Sequence, residues 1–232
     1  MDIPHRIVAA EGESRGALLL YHGLRSSLAS LEGEAARLAR AGITVILVDA
    51  PHHGGRHSPV LGTMPDALSL PGHHVLLRLL REARDEVPAL VDRALGLGHR
   101  KVAIGGVSFG AFIALAAATV EPRLAAIVSI LGTPDWTPRD GTVPADLEDA
   151  VAESPHLHPF LPARPLLLLN GGADDNVRPG PARALAARLA PVYAGAGVTL
   201  LHREYPGVTH WPSSDVWDDM WRTTERFLVE AL

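Results

Sequence analysis

The chain has 232 residues, of which 47% are hydrophobic and 20% are charged, so it is long enough to bury one sizeable core. We expect a single domain over residues 1–232. A formal net charge of −5 provides no basic surface for nucleic acid, and no apolar run is long enough to span a membrane. The absence of cysteine excludes disulfides and a thiolate nucleophile. The amino-terminal stretch lacks the apolar core of a secretory signal, so we expect a cytoplasmic location, and nothing in the composition indicates an oligomeric state.

Strands and helices are predicted to alternate through the first half of the chain. Short apolar runs predict strands at 6–10, 17–21, 43–48, 101–104 and 124–131. Apolar residues at helical spacing predict helices at 31–39 and 76–95 and after Ser108, with Pro88 expected to kink the second helix or to begin a new segment. Residues 59–72 contain three prolines and are expected to form a surface loop. A strand, helix, strand order predicts parallel strands joined by crossovers.

Residues 133–164 interrupt this alternation. The segment is rich in prolines and acidic residues, and it contains at most one short helix, near 145–152. We expect it to form an insertion that lies over the sheet like a lid. The alternative is a meandering connection without such a role. Beyond it, the pattern predicts a strand at 165–169, a helix at 181–192, a strand at 198–204 and a final helix through 217–228.

A serine flanked by glycines follows the strand predicted at 101–104. In Gly106-Val107-Ser108-Phe109-Gly110 the serine stands between a strand and a helix, which is the context of a nucleophile elbow. The two glycines lack the Cβ atoms that would collide where strand and helix approach each other. Taken alone, the pentapeptide also fits an ordinary glycine-rich turn.

Ser108 requires a base, because a hydroxyl is a poor nucleophile at neutral pH until its proton is taken. In a parallel sheet the loops at the carboxyl ends of the strands meet at one edge, so the loops with Leu24, Ser108, Asp174 and His210 can come together. The order serine, aspartate, histidine along the chain is that of one specific hydrolase fold.

These motifs resemble those of the α/β hydrolases, in particular the small serine esterases related to dienelactone hydrolase and to the catalytic domain of prolyl oligopeptidase. Four stretches carry the resemblance: His22-Gly23, Gly106 to Gly110, Gly171 to Val177, and Gly207 to His210. The resemblance implies an α/β fold with a mostly parallel central sheet, helices on both faces, and a short lid-like insertion at 133–164.

The resemblance also assigns roles to the residues of these stretches. It implies that Ser108 is the nucleophile, that His210 is the base, and that Asp174 orients the imidazole. The adjacent Asp175 is the second candidate for the acid. A solvated surface histidine is the alternative for His210.

The oxyanion hole is expected from backbone N–H groups. The residue after the nucleophile, Phe109, supplies one, and by resemblance Leu24 supplies the other. We expect His22 to hold this loop by local hydrogen bonds and to lie beside the substrate pocket. The resemblance extends to the loop after the next strand, so we also expect His53, or its neighbour His52, beside the pocket.

Aromatic residues are the remaining candidates for the pocket. Trp136 and Trp211, with Phe160, are expected as apolar walls, although each fits the hydrophobic core equally well. We expect no metal site at the histidines of positions 52, 53, 57, 73 and 74. Adjacent histidines on an extended segment point to opposite faces, and no His-Glu-x-x-His spacing occurs. The resemblance implies no metal and no other cofactor.

The sequence therefore predicts a serine carboxylesterase that cleaves small to medium acyl esters through an acyl-enzyme intermediate. Dienelactone hydrolase has cysteine at the elbow, whereas this chain has Ser108. A peptidase or a thioesterase on the same triad is the alternative, although 232 residues leave no room for the propeller that filters peptides in the oligopeptidases. A noncatalytic binding protein on the hydrolase fold is the hypothesis from another class.

Overall fold

A seven-stranded sheet brings the loops of the chain to a common edge. The computed structural model describes residues 3–158, 160 and 162–232. The strands are β1 (His5–Val8), β2 (Gly16–Tyr21), β3 (Ile43–Val48), β4 (Val102–Val107), β5 (Leu124–Ile130), β6 (Leu166–Gly171) and β7 (Leu200–Tyr205). They lie in the order β1-β3-β2-β4-β5-β6-β7, and all neighbours are parallel except β1, which runs antiparallel to β3. The predicted mostly parallel sheet is confirmed.

Helices cover both faces of this sheet. They are α1 (Glu32–Arg40), α2 (Pro59–Thr63), α3 (Leu70–Gly96), α4 (Phe109–Val120), α5 (Glu148–Ala152), α6 (Gly180–Ala196) and α7 (Ser214–Ala231). Side chains of α1 and α7 form one core layer, and side chains of α3, α4 and α6 form the other. Strands β2 and β3 are buried along their whole length, which explains why each is a continuous apolar run without alternation.

Two expectations for the region before β4 were wrong: a wholly irregular loop over 59–72, and a new segment beginning at Pro88. A kink at Pro88 stays a prediction. Residues 59–72 are not only loop, because Ser58 caps α2 and Ser69 caps α3 through backbone N–H groups of each first turn. Both helices carry a proline within their first two positions, where a missing N–H has no consequence. Pro88 does not divide α3, whose apolar face is buried on both sides of it and offsets the roughly 3 kcal/mol that an interior proline costs.

The segment 133–164 packs against α3 and is joined to it by polar contacts. Glu153 pairs with Arg81 at 2.8 Å and with Arg84 at 2.5 Å. The backbone carbonyl of Trp136 accepts a hydrogen bond of 2.7 Å from Nε2 of His73. The predicted short helix is α5, preceded by a 3-10 turn at Ala145–Leu147. Residues 159 and 161 of this segment lie outside the described residues.

In the part of the chain that the structure describes, no helix combines the length and the apolarity that crossing a membrane requires.

Candidate active site

Ser108 occupies a strained turn between β4 and α4. Its φ of 52° lies in the left-handed region, which a residue with a side chain rarely adopts. A Cβ on Gly106 would lie 2.3 Å from the carbonyl carbon of Gly110, and a Cβ on Gly110 would lie 2.2 Å from the backbone oxygen of Tyr21. Strand and helix can therefore meet at this angle only with glycine at both positions.

Left-handed backbone marks the same edge of the sheet at other loops. Besides Ser108, the described non-glycine residues with positive φ are Arg25, His52 and Leu131, and each follows the carboxyl end of a strand by at most four residues. Such strain persists only where the surrounding structure holds it in place, and it concentrates at functional sites. The carboxyl edge of the sheet is thus the candidate site.

A chain of hydrogen bonds joins three side chains at this edge. Oγ of Ser108 lies 2.9 Å from Nε2 of His210, and Nδ1 of His210 lies 2.7 Å from Oδ2 of Asp174. The other oxygen of Asp174 accepts hydrogen bonds from the N–H groups of Asn176 at 2.9 Å and Val177 at 2.8 Å. Because Oδ2 accepts from Nδ1–H, Nε2 of His210 presents its lone pair to Ser108.

The structure places Asp174, and not the exposed Asp175, against His210. The Asp174 side chain is 1% exposed and that of His210 is 11% exposed, which rules out a solvated surface histidine. Asp175 lines the cavity in front of them.

The loops that carry the acid and the base are joined by their backbones. The N–H of Gly172 donates to the carbonyl of Tyr205 at 2.8 Å, and the N–H of Ala173 donates to the carbonyl of Val208 at 2.9 Å. A Cβ on Gly171 would lie 2.5 Å from that same Val208 oxygen, so only glycine permits this contact. The close approach sets the position of His210 relative to Asp174.

The N–H groups of Leu24 and Phe109 are available at the cavity. Both residues line it, and within the described part of the chain neither N–H donates a hydrogen bond to another protein atom. A Cβ on Gly23 would lie 3.9 Å from Cβ of Ser108, which places the Leu24 loop beside the serine.

His22 holds the peptide that carries the Leu24 N–H. Its Nδ1 donates to the carbonyl of Gly23 at 2.8 Å, and its Nε2 accepts from the N–H of Ala50 at 3.2 Å. Since the carbonyl and the N–H of a trans peptide point in opposite directions, fixing the Gly23 oxygen also fixes the direction of the Leu24 N–H. Burial lowers the pKa of His22, which keeps the ring neutral with its proton on Nδ1.

The expectation that His22 and His53 border the substrate pocket was wrong. Their exposed fractions are 0% and 1%, and neither is among the described residues that line the cavity. His53 lies behind the site, where its Nδ1 donates to the carbonyl of Pro51 at 2.7 Å and its ring stacks on Phe109 with centroids 5.5 Å apart. Burial lowers the pKa of His53 to about 4.

A cavity of about 930 Å³ opens in front of Ser108 and His210. Its apolar walls include Leu76, Leu77, Phe112, Leu131, Trp136 and Trp217. Trp136 is buried in the wall, whereas Trp211 is 79% exposed and packs its ring edge-on against His210. Phe160 is buried in the core and is not among the described residues that line the cavity.

Several lining residues were not foreseen from the sequence. Phe112 stands four residues after Ser108 in α4, so helical spacing alone could have placed it on the same face. Leu76 begins the apolar stripe from which α3 was predicted, and Leu77 was not singled out. Their dual role has no sequence signal, because core and pocket walls use the same apolar side chains.

Among the described residues, no group of three or more histidine and acidic side chains could hold a metal ion. His52 instead pairs with Glu82 at 3.0 Å and lies 2.6 Å from the Ser58 hydroxyl.

Comparisons with known proteins identify the family. A family model described as serine aminopeptidase, S33, matches residues 12–150, and one described as the prolyl oligopeptidase family matches residues 87–232. Esterase YjfP of Escherichia coli (strain K12) is 30% identical over 209 residues, which cover 83% of this chain and 81% of that protein. The chain belongs to the α/β-hydrolase superfamily. The resemblance of its motifs to this superfamily is therefore confirmed.

Solved structures share the hydrolase fold over the whole chain. TT1662 from Thermus thermophilus superposes with a TM-score of 0.75 at 21% identity and complete coverage of both chains, at 100% each. The esterase PE8 gives a TM-score of 0.70 at 21% identity, again with 100% coverage of both chains. A prolyl endopeptidase gives 0.70 at 21% identity, with 99% of this hydrolase matching 37% of that chain.

Proposed function

We propose that the protein is a serine carboxylesterase that cleaves small to medium acyl esters. One observation carries the proposal: an unbroken chain of hydrogen bonds runs from Asp174 through His210 to Ser108 and ends at an apolar cavity. The similarity to an esterase supports the hydrolysis of esters as the reaction.

In the first half of the proposed reaction, Nε2 of His210 takes the proton of Ser108 as Oγ attacks the ester carbonyl carbon. The carbonyl oxygen becomes an oxyanion that accepts hydrogen bonds from the Leu24 and Phe109 N–H groups, each worth about 3 kcal/mol in the transition state. Asp174 stabilises the imidazolium. His210 then gives its proton to the alcohol oxygen, the C–O bond breaks, and the alcohol leaves an acyl-serine behind.

In the second half, water attacks the acyl-serine. His210 takes a proton from the water, and the same two N–H groups hold the second oxyanion. When this intermediate collapses, Ser108 recovers the proton and the carboxylic acid leaves. Apart from the substrate and this water, every group used belongs to the chain itself, so the proposed reaction calls for no metal or other cofactor.

The cavity supports a small-molecule ester as the substrate. A volume of about 930 Å³ matches the size of pockets that bind small organic ligands, and its buried walls are apolar. A cytoplasmic location stays a prediction.

Labelling with a fluorophosphonate tests the proposal directly. The folded native protein should react at Ser108, whereas Ser108→Ala should not react and His210→Ala should react far more slowly. Both variants should lower kcat for a p-nitrophenyl ester by about 10⁴-fold or more. Absence of labelling in the folded native protein would support a noncatalytic binding protein instead.

A peptidase is the second candidate, because both matching family models are described by peptidase activities. Paired substrates separate the two functions: a p-nitrophenyl ester and a p-nitroanilide with the same acyl group, with an acyl thioester as a third. A serine peptidase also cleaves an activated ester, so only cleavage of the anilide separates the two functions. We expect the ester to give the highest kcat/KM and the anilide no measurable turnover, whereas turnover of the anilide would support the peptidase. A series of p-nitrophenyl esters of increasing acyl length should show an optimum at small to medium chains.

A further inference from the structure

The Asp49 side chain lies buried behind the cavity, where it joins two loops. Asp49 follows β3 directly and is 4% exposed. Its Oδ1 accepts a hydrogen bond of 2.8 Å from the N–H of Leu28, and its Oδ2 accepts one of 2.8 Å from the N–H of Gly55. One carboxylate therefore bridges the loop after β2 and the loop after β3.

The backbone is shaped around this carboxylate. Gly54 has a φ of 48°, and a Cβ on it would lie 2.2 Å from Oδ1 of Asp49. A side chain at this position would expel the carboxylate, so the loop after β3 closes on Asp49 only with glycine there. The fit indicates a specific anchor and not a chance contact between neighbouring loops.

Each of the two bridged loops reaches one N–H donor of the proposed oxyanion hole. Leu28 begins the 3-10 turn that follows Leu24, so its hydrogen bond to Asp49 restrains the far side of the first loop. In the second loop, the His53 ring stacks on Phe109, with an interplanar angle of 22°. The rings of His53 and His22 lie 5.0 Å apart, which brings the supports of both donors into contact.

We propose that Asp49 is a positioning residue that sets the distance between the Leu24 and Phe109 N–H groups. The proposal rests on the proposed function, because it assumes an oxyanion at these two groups. Nε2 of His22 lies 3.6 Å from Oδ1 of Asp49, and this ring is neutral, so it does not compensate the negative charge of Asp49. A negative charge behind the site opposes negative charge on the oxyanion, so its removal alone would favour the reaction. A positioning role predicts the opposite: removal of the Asp49 charge slows the reaction.

The Asp49→Asn variant tests whether loss of the charge speeds or slows the reaction. Asparagine can keep the hydrogen bond to one loop, but its NH₂ group must then face a backbone N–H of the other. We expect kcat for a p-nitrophenyl ester to fall by about tenfold to a hundredfold with little change in KM, because a donor displaced by a fraction of an ångström loses contact mainly in the transition state. The Ki of a trifluoromethyl ketone, which forms an oxyanion on Ser108, should rise by a similar factor.

Glu121→Gln is the matched control. Glu121 is a buried acid, 3% exposed, that pairs with Arg123 beyond the carboxyl end of α4, at the opposite edge of the sheet. The Glu121→Gln substitution should leave the Ki of the trifluoromethyl ketone unchanged even if it lowers the melting temperature. Titration with a fluorophosphonate counts the reactive sites in every variant, so that a loss of folded protein is not mistaken for a loss of positioning.

If Asp49→Asn does not fold, two variants of His53 test the positioning role instead. His53→Phe keeps an aromatic ring against Phe109, whereas His53→Ala removes it, so the proposal requires a higher Ki for the alanine variant alone. A native Ki in Asp49→Asn, or an equal Ki in both His53 variants, overturns the positioning role. Failure of the native protein to react with either reagent overturns the proposed function together with this inference.

Discussion

The two oxygens of the Asp174 carboxylate have separate partners, and the one that faces His210 lies 2.7 Å from its Nδ1. The other oxygen accepts hydrogen bonds from the backbone N–H groups of Asn176 and Val177. This division fixes the rotation of the carboxylate, because neither oxygen can leave its partners without breaking hydrogen bonds. The orientation of the imidazole is thus determined by the backbone of the loop after β6.

This arrangement predicts the behaviour of Asp174→Asn. The two N–H groups of Asn176 and Val177 require the amide oxygen, so the NH₂ group must face Nδ1 of His210. Nε2 then carries the ring proton and cannot accept the proton of Ser108. We expect kcat for a p-nitrophenyl ester to fall by about 10⁴-fold. Asp175→Asn should have a far smaller effect, and the reverse ranking would assign the acid to Asp175.

The contact between Gly110 and Tyr21 predicts a large effect on stability. A Cβ on Gly110 would lie 2.2 Å from the Tyr21 carbonyl oxygen, so Gly110→Ala must push β2 and α4 apart. We expect the free energy of unfolding in urea to fall by about 1 to 3 kcal/mol. Gly33→Ala is the control, since Gly33 lies in α1 with no atom within 4 Å of its Cβ position. It should raise stability by about 0.5 to 1 kcal/mol.

The buried His53 predicts how stability depends on pH. Burial lowers its pKa from 6.5 to about 4 in the folded protein. Above pH 6.5 the ring is neutral in both the folded and the unfolded chain, so it does not influence the balance between them. Between pH 6.5 and about 4 only the unfolded chain binds the proton, and the free energy of unfolding falls by on the order of 3 kcal/mol.

His53→Phe isolates this contribution. Urea unfolding of both proteins at about pH 7 and about pH 4.5 should show a smaller loss of stability in the variant on acidification. His22 titrates in the same direction in both proteins and cancels in the comparison. An equal loss would mean that His53 is protonated within the folded chain.

The wall formed by Trp136 predicts a change in substrate preference. Nε1 of Trp136 is buried without a hydrogen-bond partner among the described residues, so Trp136→Phe removes no hydrogen bond while it deepens the cavity. We expect the optimum in a series of p-nitrophenyl esters to move to longer acyl chains. Trp221→Phe is the matched control, because Trp221 is equally buried and unpaired but packs in the core layer of α1 and α7. An unchanged optimum in Trp136→Phe would exclude this wall from the acyl site.

The central strands were predictable from the sequence because parallel strands buried on both faces leave continuous apolar runs. The order of Ser108, Asp174 and His210 likewise pointed to loops at one edge of the sheet. The starts of α2 and α3 were not predicted, since prolines that break helices in the interior are favourable in the first turn. Ser58 and Ser69 carried a capping signal that the prolines obscured.

The position of His53 could not be predicted from its residue type. The preceding residue, His52, has a φ of 65°, and this left-handed turn sends the His53 ring behind Phe109 instead of into the cavity. A residue other than glycine adopts such a conformation uncommonly, so the turn is imposed by the surrounding loops. Tertiary contacts of this kind leave no pattern in a single sequence.

Ser108 and His210 are separated by 102 residues along the chain although their side chains are in hydrogen-bond contact. A ribosome that adds roughly 5 to 20 residues per second finishes His210 about 5 to 20 seconds after Ser108. Under the proposed function, the serine therefore exists without its base during synthesis, on a nascent chain that cannot yet attack an ester. On the same proposal, reactivity is acquired only when β7 and the loop after it have been translated and have docked at the edge of the sheet.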